Sequence, residues 1–136
     1  MANAPRFTKT IVAVPIVKIA DTTRVTIYAA NSTYDTRITG INISTDDTAP
    51  GNAKLEIYDG INYYPVRTTV VPLGSGVTVS VEPVGLIALA PIVFRERDAN
   101  GVTILNLPKG NSLLITMSAV TAGKFFWVLV KAELYD

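Results

Sequence analysis

Lys54-Leu55-Glu56-Ile57-Tyr58-Asp59-Gly60 is the stretch that decides the fold class. Leu55 and Ile57 fall on one face of an extended chain, and Lys54, Glu56 and Tyr58 on the other. Period two with a single apolar face marks a half-buried antiparallel strand. Asp59-Gly60 then supplies a pair that tolerates positive φ, the requirement of a type I′ hairpin.

The same pattern spreads outward in both directions. Val25, Ile27 and Ala29 alternate with Arg24, Thr26 and Tyr28. Val77, Val79 and Val81 alternate with Thr78, Ser80 and Glu82. Leu113, Ile115 and Met117 face away from Thr116 and Ser118. Asn100-Gly101 is a second hairpin pair, and Gly74-Ser75-Gly76, Pro108-Lys109-Gly110 and Ala122-Gly123 close further bends. Thr45 to Asn52 is the longest polar connection and is expected to form an exposed tip. Ile38 has the opposite parity to Ile41 and Ile43. A β-bulge at Gly40 would bring all three to one side; burial of that strand on both faces would also account for them. Phe125-Phe126-Trp127-Val128-Leu129-Val130 is apolar at every position. It predicts a central strand, or one with a face in the core and the other at a subunit interface. No segment carries a helical period. The expected fold is all-β: a single antiparallel β-sandwich with jelly-roll or related Greek-key topology.

Composition narrows the function. The 136 residues include no histidine and no cysteine, which removes Ser-His-Asp and Cys-His nucleophiles and every thiolate or imidazole metal site. The remaining carboxylates, lysines and tyrosines have no catalytic spacing, so neither an enzyme nor a cofactor is expected. Net charge is +1 with no basic stripe, which argues against nucleic acid. Only 17% of residues are charged, below the usual share of about 25%, and a surface so poor in charge is commonly covered by another copy or a partner.

Ile11 to Ala20, preceded by Arg6 and Lys9, has the outline of a signal peptide. Pro15 and Lys18 interrupt it, and no small-residue cleavage site follows before Asp21. It is also too short to span a bilayer as a helix, so no membrane partner is expected. Residues 1–22 read instead as an N-terminal arm or edge strand that some partner covers, with residues 23–136 forming the sandwich. Ile11, Val12, Val14, Ile16 and Val17 of this segment, with Phe126 and Trp127 as anchors, are the candidate interface residues.

Other clusters have simpler readings. Asp46-Asp47, Asp59 and Asp98-Ala99-Asn100-Gly101 lack the ligand spacing of a calcium loop and read as solvated turns, so no metal is expected. Tyr58, Tyr63 and Tyr64, with Trp127, could form a sugar-stacking platform. Tyr63 and Tyr64 lie on opposite strand faces, however, which favours packing in the core or at an interface. Glu56, Glu82 and Glu96 read as exposed strand positions rather than a glycosidase pair. Arg95-Glu96-Arg97-Asp98 is either a charged docking patch or a solvated hairpin end.

The order of these segments resembles a known family. Thr26-Ile27-Tyr28-Ala29-Ala30-Asn31 is followed by Arg37-Ile38-Thr39-Gly40-Ile41-Asn42-Ile43-Ser44-Thr45. Next come Leu55-Glu56-Ile57-Tyr58-Asp59-Gly60, Asp98-Ala99-Asn100-Gly101, Leu107-Pro108-Lys109-Gly110 and Val120-Thr121-Ala122-Gly123-Lys124. Over about residues 23–130 the chain is similar to small structural proteins of tailed bacteriophages that decorate the head. The resemblance implies a virion protein on the outer capsid surface, with the major capsid protein and itself, as a homotrimer, for partners. It carries no catalytic residues. A tail or baseplate component, or a carbohydrate-binding sandwich module, are the alternative readings.

Overall fold

Leu55 and Ile57 are buried as their alternation requires, because the strand that carries them runs between two others and lays one face on the core. The computed structural model describes residues 8–12, 16–29, 31–77, 84–85, 95–97 and 103–135. These contain eleven strands and no helix: β1 (Thr8–Val12), β2 (Ile16–Ile19), β3 (Val25–Tyr28), β4 (Asp35–Thr45), β5 (Gly51–Tyr58), β6 (Tyr63–Val71), β7 (Val84–Gly85), β8 (Arg95–Arg97), β9 (Thr103–Leu107), β10 (Ser112–Met117) and β11 (Phe126–Tyr135).

The strands form two antiparallel sheets. One has the order β1-β11-β4-β9-β8, with β2 also on β11 and β7 also on β4; the other has the order β3-β10-β5-β6. With β2, β3, β4, β5, β6, β9, β10 and β11 taken as strands one to eight, the sheets run one-eight-three-six and two-seven-four-five. That is the interleaved order of a jelly roll. The inner faces meet in one core, where Ile38, Ile41 and Ile43 of β4 and Phe126, Val128 and Val130 of β11 oppose Leu55, Ile57, Leu113, Ile115 and Met117.

Three bulges set which side chains enter that core. One of them, on β6, turns Val66 inward between the Leu55–Arg67 and Glu56–Pro65 pairs, and the other two lie on β4 and β3. Lys131 pairs with Gly40 and Ala132 with Ile38, so Thr39 is the extra residue, and its hydroxyl donates to the Lys131 carbonyl at 3.3 Å. The shift turns Ile38 to the side of Ile41 and Ile43, so of the two sequence explanations the bulge is the one that holds. The β3 bulge was not foreseen. Leu113 pairs with Tyr28 and Leu114 with Thr26, leaving Ile27 unpaired. Tyr28 therefore does not share an outer face with Arg24 and Thr26. It is buried beside Ile27, its hydroxyl 2.7 Å from Thr36 Oγ1, while Ala29 is exposed.

The two described strands of the N-terminal segment both lie against β11. β2 pairs along residues 126–129 of β11, and β1 along 132–135. Ile19 is 1% exposed and belongs to the core. Val14 lies outside the described residues, as do Val79, Val81 and the Asn100-Gly101 turn; Val77 lies in a turn. The β5–β6 connection is a four-residue loop rather than a two-residue type I′ turn. Gly60 has φ +100°, which a side chain would strain, but among the described residues no non-glycine, Asp59 included, has positive φ.

Candidate functional site

Each sheet has an outer face, and the outward positions of the sequence alternation are where function can reside. On the seven-stranded sheet, Phe126, Val128 and Val130 point into the core, so Trp127 and Leu129 point out. The register carries that face sideways. Leu129 pairs with Ile16 on one flank and Asn42 on the other, and Trp127 with Lys18 and Ser44. Ile16 is 69% exposed and Leu129 40%. Trp127 is half-buried, and its ring meets that of Phe125 at 6.1 Å between centroids. Lys18 places its ammonium 3.7 Å above the Phe125 ring, a cation–π contact. The result is an apolar strip, Ile16-Leu129-Trp127-Phe125, with one positive charge beside it.

Phe125 is positioned from both sides of its own peptide. Its N–H donates to Asp46 Oδ1 at 2.9 Å, and its carbonyl accepts the Thr45 hydroxyl at 2.8 Å. Asp47 extends the tie to the next turn. Its Oδ2 accepts the Thr121 N–H at 2.8 Å, and its Oδ1 accepts the Thr121 hydroxyl at 2.6 Å and the Ala49 N–H at 3.0 Å. The Gly74 N–H donates to the Asp47 carbonyl and the Thr45 N–H to Ser75. Asp46 and Asp47 are therefore staples between loops rather than solvated turn residues, and Asp47 is only 3% exposed. Burial pushes the Asp47 carboxyl up, but the donors from Thr121, Ala49 and Thr48 outweigh it and hold the group below the ordinary aspartate value.

The outer face of the four-stranded sheet is organised differently. Glu56 is not an exposed strand residue but 2% exposed. Arg24 donates to it through Nε at 3.1 Å and a terminal nitrogen at 3.3 Å, and Lys54 Nζ lies 3.7 Å away. Arg24 also stacks 3.8 Å over the Tyr63 ring, while Tyr58 stacks on the same ring at 4.4 Å. Two groups that close to one centroid must occupy opposite faces, so Tyr63 has no face left for a sugar. Tyr63 and Tyr64 do lie on opposite sides of β6, but neither is a core residue; they are 43% and 45% exposed.

The sequence-selected interface residues thus separate. Ile16 and Trp127 lie on one surface, joined by Leu129 and Phe125, which share the alternation of Trp127. Ile11 and Val12 lie in β1 on the same edge of the sheet. Val17 is half-buried against the core. Phe126 is fully buried within its own chain, so it cannot serve as an interface anchor. Of the charged run, Arg95–Arg97 forms β8 against β9, and Glu82 and Asp98 lie outside the described residues. A scan against protein-family models finds no match to this chain, and a search of curated protein sequences finds no relative.

Proposed function

We propose that this chain is a structural virion protein, a decoration or cement protein that binds the outside of a tailed-phage capsid and performs no catalysis. The supporting observation is the Ile16-Leu129-Trp127-Phe125 strip. It is apolar, lies on a rigid sheet, and is fixed at one end by Asp46 and Thr45. Pre-organised apolar and aromatic side chains at the centre of a surface are what a stable protein interface uses. The resemblance to head-decorating proteins supplies the partner, the major capsid protein, and the expectation of three copies assembled together. The sugar-binding alternative loses support, since Tyr58 and Arg24 already cover Tyr63.

The test is addition of purified protein to expanded capsids that lack it, followed by sedimentation and cryo-electron microscopy. Density on the capsid exterior, lost with Trp127→Asp, is the expected result. Binding to tails alone would transfer the protein to the tail or baseplate, and no binding to either would overturn the reading.

A further inference from the structure

The β5–β6 hairpin ends in an exposed apolar side chain on an unusually well-tied loop. Ile61 is 82% exposed. Asp59 Oδ1 accepts the N–H groups of Ile61 and Asn62 at 2.8 and 2.7 Å, and Asp59 Oδ2 accepts the Tyr64 hydroxyl at 3.2 Å. The Asp59 N–H donates to the Asn62 carbonyl, and the Tyr58 hydroxyl to that of Gly60 at 2.9 Å. Such a loop has already lost the conformational freedom that binding would remove, so contacts made by Ile61 translate into affinity with little ordering cost.

The outer face of the same sheet also holds a depression of about 240 Å³, lined by Asn52, Lys54, Thr68, Thr116, Met117 and Ser118. Despite those residue types, the walls it offers are largely carbon. The Thr116 hydroxyl is shielded from solvent and has no partner, and Lys54 covers surface with its methylene stem. Val70, 56% exposed, pairs with Asn52 at the margin. A dry cavity of roughly 150 Å³ accommodates benzene, so this one has room for a branched aliphatic side chain.

The charges match as well. Arg24 and Lys54 share the single carboxylate of Glu56, which leaves one positive charge beside the depression. The hairpin tip carries the Asp59 carboxylate. Within one molecule the two cannot meet, because Tyr58 at the base of the tip is four residues along β5 from Lys54, about 13 Å at 3.3 Å per residue.

We infer that the hairpin tip of one copy, led by Ile61, seats in the Thr68–Thr116–Met117 depression of a second copy of this chain. A tip and a socket at different places on one chain make a head-to-tail contact, which builds a ring where its rotation closes and a filament where it does not. This contact is independent of the capsid-binding strip.

Sedimentation equilibrium of the purified protein tests it, with circular dichroism melts confirming that each variant folds. Wild type should self-associate, and Ile61→Asp should weaken that association at least about 30-fold, the effect of losing a hot-spot residue. Thr68→Glu, which sets a carboxylate against Asp59 of the entering tip, should do the same. Mixed in equal amounts, the two variants should form a one-to-one complex, since the intact tip of one meets the intact socket of the other. Wild type remaining monomeric at about 0.5 mM, either variant associating like wild type, or a mixture that stays monomeric would overturn the inference. Capsid binding by the Ile61→Asp variant should persist, which separates failure of this contact from failure of the decoration role.

Discussion

On the outer face of the four-stranded sheet, Arg24, Lys54 and Glu56 satisfy one another, and Tyr63 lies between Tyr58 and Arg24. On the outer face of the seven-stranded sheet, Ile16, Leu129 and Trp127 occupy equivalent outward positions, with Lys18 over Phe125 as the local charge contact. Both clusters come from the same two-residue alternation, yet the first completes its interactions within the chain and the second leaves apolar groups toward solvent. Outward side chains of the Arg24–Glu56–Tyr63 cluster should therefore act on folding, and those of the Ile16–Leu129–Trp127 strip on association. Exposed hydrophobic residues are ordinary one at a time; a row of them across adjacent strands is not.

The largest test of that division removes residues 2–20. This deletion takes away β1 and β2, frees one edge of β11 along its length, and extracts Ile19 from the core. Loss of Ile19 packing alone is worth about 2–5 kcal/mol, so the shortened chain should fail to melt cooperatively by circular dichroism. A normal melt would show that the edge serves only assembly. Next in size is the neighbouring pair on β11. Phe126→Ala should cost about 3–5 kcal/mol in urea denaturation, whereas Trp127→Ala, half-buried on the outer face, should cost well under half of that. Equal costs would remove the distinction between the two sides of the strand.

A double-mutant cycle sharpens the comparison further. Arg24→Ala with Glu56→Gln should show coupling of about 1–2 kcal/mol, reduced from a fully buried pair because Arg24 is 40% exposed. Ile16→Ala with Leu129→Ala, a cross-strand apolar pair, should couple by only about 0.2–1 kcal/mol. Acid should act through the loop staple. Because the Asp47 carboxyl is held below its ordinary value of 3.8, the unfolded chain takes up its proton first. Its contribution is therefore complete above that value and lost as pH falls through the lower folded value. In Asp47→Asn the decline of stability below about pH 4 should be shallower. The smallest expected effect on folding is that of Ile16→Lys, within about 0.5 kcal/mol, and capsid binding by this variant should nonetheless fall.

Much of this architecture was legible because strand alternation is local. The inward sets on β5 and β10 followed from parity alone, and the Gly40 region announced its bulge through the mismatched parity of Ile38. Turn positions at Gly74, Gly76, Gly110 and Gly123, all at positive φ, were equally plain. What escaped was whatever depended on a partner distant in sequence. Nothing in Arg24 to Ala29 indicates that Ile27 is skipped in pairing with β10, so Tyr28 was assigned to the wrong face. Glu56 and Asp47 have the composition of exposed residues, and beside their local partners it takes Arg24, 32 residues away, and Thr121, 74 residues away, to make their burial tolerable.

Sequence by itself determined the all-β class, the spacing of strands and turns, and the absence of histidine and cysteine chemistry. These are properties of residue type and of period two, which any extended chain expresses before it folds. Tertiary structure alone decided which strands became neighbours, and with that which outward side chains met. Trp127 and Leu129 gained Lys18 and Ile16 beside them through the register of β11 with β2, and Tyr63 received Arg24 from the far edge of its sheet. The physical reason is that alternation specifies a face, whereas a surface is assembled only when long-range pairing sets several faces side by side.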